Sequence, residues 1–163
     1  MAEEPQSDQS LATPAHRIRI ETNLEGLEYD ETPVLKAVRS VLDAEQCTEA
    51  EIDIILVDDE YLRELKHEFF GQDVYTDVIA FRLNSYEESK VEGEVYISLH
   101  RAAEQAMEYD VTADMEILRL AIHGILHLLG YEDDTDEKKA IMTSKEDRHL
   151  ASFDEPLIVQ HLP

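Results

Sequence analysis

The chain has 163 residues, 43% of them hydrophobic, so it fits one domain of ordinary size with a core of its own. A lone thiol, Cys47, excludes an internal disulfide and suits a reducing compartment, and no apolar run approaches the ~18 residues that crossing a bilayer requires. With 38 acidic against 14 basic residues and a net charge of −24, long-range attraction to a polyanion is excluded in dilute salt; either the partner is not a polyanion, or the protein works where salt screens its surface.

Residues 1–14, rich in Gln, Ser, Asp and Pro, offer little to bury and read as a disordered tail. Their acidic start lacks the basic residues and apolar stretch of an export signal, so a cytoplasmic location is expected. From His16, the alternation Arg17-Ile18-Arg19-Ile20 predicts a strand with one apolar face. Val34, Leu35, Val38, Val41 and Leu42 recur at helical spacing after Pro33, which suits a first helical turn. Ile52, Ile54 and Leu56 alternate in a second strand, ended by Asp58, a cap for a helix carrying Tyr61, Leu62, Leu65 and Phe69. Residues 72–76 read as a loop, and the β-rich runs 78–81 and 93–97 as a hairpin with a polar connection. Ser98 can cap a helix through Met107; a longer helix follows Thr112 and stops at Gly130, and the last covers 135–150. The expected fold is α+β: a single domain, residues 15–153, with a small mixed β-sheet packed by helices, and a C-terminal tail over 154–163.

The chemistry concentrates at the end of the penultimate helix and the turn after it. Four residues make just over one helical turn, so His123 and His127 project about 40° apart and can grip one ion. Met115, Leu118, Ile122, Ile125 and Leu129 point about 130° away, which puts the histidines beside the buried stripe. Gly130 lets the chain turn back so that Asp133 can complete a three-ligand site, with Glu132 and Asp134 as neighbouring alternatives. Three protein ligands leave a place for water, as catalytic sites of borderline cations do. The pattern His-x3-His-x2-Gly-x2-Asp is similar to the long metalloprotease signature, but Gly124 stands where its general-base glutamate would be.

The run His123-Gly124-Ile125-Leu126-His127-Leu128-Leu129-Gly130-Tyr131 closely resembles the YbeY family of metal-dependent endoribonucleases. Thr76-Asp77-Val78-Ile79-Ala80-Phe81, Gly93-Glu94-Val95-Tyr96-Ile97-Ser98 and the pair Met142 and Glu146 also resemble family elements, in order across residues 16–150. The resemblance implies a hydrolase that matures ribosomal RNA, with single-stranded ribosomal RNA and the small ribosomal subunit as partners, and neither membrane nor DNA. It implies one zinc ion on His123, His127 and Asp133, with nickel, manganese or iron as other occupants. Two departures stand out: Asp133 replaces the family's usual third histidine, and Phe70 replaces an arginine thought to handle RNA. Arg63, Lys66, Arg82, Arg101 and Arg119 are the candidates to take over that work. The competing readings are a ribosome-assembly binding factor stapled by a structural metal, and a small-molecule hydrolase.

Overall fold

The computed structural model describes residues 15–161. In chain order the elements are β1 (Ala15–Thr22), β2 (Glu28–Tyr29), α1 (Thr32–Ala44), β3 (Glu49–Val57), α2 (Asp59–Phe70), β4 (Val78–Arg82), β5 (Val91–Ser98), α3 (Leu99–Tyr109), α4 (Ala113–Leu128), α5 (Asp136–Leu150) and β6 (Val159–His161). Alternation builds the main sheet: β1, β3 and β5 run parallel, with Ile18 beside Ile52 and Ile54 beside Val95. β4 adds antiparallel to the outer edge of β5, closing the mixed order β1-β3-β5-β4 and forming the expected hairpin.

Because side chains alternate across a strand, Ile52, Ile54 and Leu56 share one face with Val91, Val95 and Ile97, and all six are buried. That face receives α4, which packs on β4 and β5 and also touches α1, α3 and α5. The single apolar stripe expected on α4 is corrected here: Ile117, Leu118, Leu120, Ala121, Ile122, Ile125, Leu126 and Leu128 are all buried, so the helix buries most of its circumference. A helix so enclosed exposes little, and His123 and His127, partly buried, emerge on the one flank that meets open space. On the opposite face of the sheet α2 covers a smaller cluster of Val57, Leu62 and Ile79.

Gly124 is where α4 meets β5: a Cβ there would lie 2.5 Å from Val95 Cγ1. That is too close for any side chain, which accounts for the missing metalloprotease-type glutamate in terms of packing.

Of the expected tail over 154–163, residues 158–161 belong to the fold. Ile158 is buried, its carbonyl accepts from Asp30 N at 2.7 Å, and β6 pairs antiparallel with β2. The expected tail over 1–14 lies outside the described residues.

Candidate metal centre and cleft

Three capped helices set the geometry. Asp58, Ser98 and Thr112 each place a side-chain oxygen on the first turn of α2, α3 and α4, satisfying donors that a helix start leaves unpaired. At the other end of α4, Gly130 adopts φ 104°, a conformation that favours glycine, and the chain reverses with Gly130 N donating to His127 O and Tyr131 N to Leu126 O, both at 3.0 Å. The reversal carries Asp133 back toward the histidines.

Both imidazoles are held by their Nδ1 atoms. His127 Nδ1 lies 2.9 Å from the carbonyl of Tyr131, and since a carbonyl only accepts, that nitrogen carries the proton and Nε2 keeps its lone pair. His123 Nδ1 donates to Glu146 Oε2 at 2.7 Å. Glu146 is buried and is fixed from its other side by Arg119 Nη1 at 2.9 Å, while Arg119 Nη2 reaches Asp147 at 2.7 Å. Burial opposes protonation of His123, yet Glu146, then Asp133 and Asp77, hold its pKa above the ordinary imidazole value.

The two Nε2 atoms therefore face each other 3.0 Å apart, and Asp133 Oδ2 lies 3.4 Å from one and 3.6 Å from the other. Tetrahedral zinc with ligands near 2.05 Å would separate them by about 3.3 Å. Converging acceptors with no donor among them are electrostatically unfavourable unless a cation or a proton sits between them. This donor set of two imidazoles and a carboxylate fits a first-row transition metal, and it is the group of three among the described residues that could hold one. Glu132 and Asp134, the neighbouring alternatives, instead approach Lys138 at 3.5 and 3.2 Å.

Beside the triad opens a cavity of about 660 Å³ whose walls include Lys66 and Phe70 of α2, Tyr86 of the hairpin connection, and His127 and Asp133. Of the five basic residues considered for RNA, only Lys66 lines it. Arg63 is forked onto Asp73, and Arg101 sits near Asp59 and Glu104. Arg119 is the clamp of Glu146. Arg82 donates to Asn84 Oδ1 and to the carbonyls of Ser85, Glu88, Lys90 and Leu128, which ties the hairpin connection to the end of α4. A second brace runs from α1: Glu45 accepts from Tyr131 Oη at 2.6 Å and from Lys145 Nζ at 2.8 Å.

The sequence offered Arg119 as a candidate for RNA and Glu146 only as part of a family-like element; their place behind His123, and that of the Tyr131 carbonyl behind His127, appears only in the fold. The signal for Glu146 was its register, because Met142, Glu146, His149 and Leu150 are the buried residues of α5, spaced as one helical face with an acid in it.

A mixed-sheet α+β domain with two imidazoles and a carboxylate converging at an open cleft defines the metal-dependent hydrolase class of site. Residues 19–154 match the family described as Endoribonuclease YbeY. The Endoribonuclease YbeY of Chloroherpeton thalassium is 41% identical over 126 residues, 77% of this chain and 88% of that relative. That of Flavobacterium psychrophilum is 39% identical over 124 residues, 76% and 87% of the two chains. The solution structure of TM1509 from Thermotoga maritima matches with a TM-score of 0.55 at 27% identity, covering 85% of this chain and 97% of that one. The chain belongs to the YbeY endoribonuclease family.

Proposed function

We infer that this chain is a single-strand-specific, zinc-dependent endoribonuclease that matures ribosomal RNA in the cytoplasm, working with the small ribosomal subunit and not on DNA. Membership of an endoribonuclease family supports the reaction class, phosphodiester hydrolysis. The observation that carries the site assignment is the convergence of His123 Nε2, His127 Nε2 and Asp133 Oδ2 at 3.0 to 3.6 Å beside an open cleft. An ion held there would supply Lewis-acid chemistry toward water and a phosphate oxygen. Glu146 and the Tyr131 carbonyl hold the two rings so that both lone pairs aim at one point, a service such outer partners commonly provide to metal-binding histidines. With Gly124 after His123, the helix offers no carboxylate beside the candidate ion to carry a proton for peptide hydrolysis, so protein substrates should remain intact. Among the described residues no helix is long and apolar enough to cross a membrane.

The test uses the full chain, its His123→Ala, His127→Ala, Asp133→Ala and Asp134→Ala variants, and labelled single-stranded RNA, duplex RNA and casein. About one transition-metal ion per wild-type chain is expected, with loss in both histidine variants, weakening in Asp133→Ala and none in Asp134→Ala. Only single-stranded RNA should be cut. Cutting that survives in His127→Ala identifies a contaminant. A chelator that stops cutting while the melt stays cooperative supports the enzyme. One that unfolds the chain, with no cutting under any condition, favours a structural metal in an assembly factor.

A further inference from the structure

Resting on the nuclease reading, we propose that Phe70 and Lys66 form a nucleobase subsite on the α2 wall of the cleft, gripping the RNA strand by stacking where the triad handles its backbone. Phe70 is 48% exposed although it lines the cavity, and its ring lies on that of Phe81, with centroids 5.9 Å apart and planes 21° from parallel. An aromatic braced from beneath and open to a polar cleft is a platform for another flat ring. The Lys66 ammonium sits 4.7 Å from the Phe70 centroid, one turn earlier on the helix. Among the described residues no carboxylate lies within ion-pair distance of it, so it is free to leave the ring when a base arrives and to meet the strand's phosphate.

Charge decides which part of a nucleotide belongs on Phe70. The residue ends α2, with Gly71 as its left-handed cap, and the carbonyl end of a helix disfavours anions. Across the cavity, Glu132, Asp133 and Asp134 add further negative charge. Against these negative ends Lys66 is the one cation among the described residues lining the cavity, enough to meet a phosphate at the rim, whereas the face of Phe70 itself favours a neutral base. Stacking also suits a chain with net charge −24, because it does not depend on long-range attraction and survives high salt.

The chain contains no tryptophan, so Phe70→Trp places a single indole at this point. The full-length variant is titrated at 4 °C with a ten-nucleotide oligoadenylate, with an abasic strand of equal length and with tripolyphosphate, each strand checked intact afterwards. Oligoadenylate should quench the indole to saturation, and the other two should leave it unchanged. Phe70→Leu, measured by competition anisotropy, should weaken oligoadenylate binding by about tenfold and raise KM for cutting by a similar factor, with kcat within about twofold. Lys66→Met should keep the preference for bases and lower the salt slope of binding by about 0.7. Equal binding of abasic and base-bearing strands, or Phe70→Leu binding like wild type, overturns the subsite even if wild type cuts RNA. Base-dependent quenching without metal-dependent cutting would leave the subsite standing and sink the nuclease reading.

Discussion

Glu116 holds its carboxyl inside the domain with 3% of its surface exposed, on the helix that carries both histidines. Burial pushes its pKa up to about 7, against the pull of Arg119 and with the help of Asp77 and Glu146. An unfolded glutamate titrates near 4.3, so between there and neutrality the folded chain holds a proton that the unfolded chain has released. Stability therefore falls as pH rises through that window, by at most about 4 kcal/mol, and the penalty is complete above it. Glu116→Gln should melt close to wild type at pH 4.5 and above it at pH 7.5. A variant that melts lower at pH 7.5 would show that the charged carboxylate stabilises the fold. The same residues show where sequence reading ends. That His123, His127 and Asp133 come together was legible because helical spacing and a helix-stopping glycine confine all three to one short segment. Arg119 and Glu146 act through a contact between α4 and α5, and no spacing along the chain encodes how two helices meet.

Helices and strands with a repeating apolar period were legible from their own residues, and so was the hairpin of β4 and β5. β2 and β6 were not, since two and three residues are too few to display a period. The contact between α4 and β5 was likewise hidden, although Gly124 marks it. By propensity alone Gly124→Ala should stabilise an internal helix position by about 1 kcal/mol. The Val95 side chain, β-branched and stiff, leaves no space for the added methyl, so a net loss of about 1–3 kcal/mol is expected in urea unfolding. Adding Val95→Ala to Gly124→Ala should recover part of that loss, a coupling that separates crowding from any backbone effect. If Gly124→Ala alone raised the unfolding midpoint, the close approach of helix and strand would be refuted.

At the scale of the molecule, the excess of acid is only locally relieved. Arg17 and Arg19 pair with Glu51 and Asp53, and Lys90 is shared among Glu49, Glu51 and Glu92, all on exposed parts of the sheet. Such surface pairs contribute little each, and 14 cations cannot offset 38 anions. Self-repulsion should weaken as salt rises, and so should repulsion of RNA. Melting temperature and the rate of RNA cutting should therefore climb together from low salt toward molar potassium chloride, opposite to the trend of a basic RNA-binding protein. Fastest cutting at low ionic strength, with steady decline above it, would show that a local basic contact governs substrate capture.

The pairing of β6 with β2 bears on the order in which a newly made chain can finish folding. Glu28 and Tyr29 are synthesised about 130 residues before their partners, which at ~5–20 residues per second means a wait of roughly 7 to 26 s. Closing so long a loop adds little entropy cost at equilibrium, yet contacts of that range form slowly. Through that interval the socket for Ile158 stays open and the short β2 edge unpaired. His123, His127, Asp133 and Glu146 have by then been made. A nascent chain released early would thus carry the whole candidate triad in a domain whose last seam is unsealed, with an open apolar socket for Ile158.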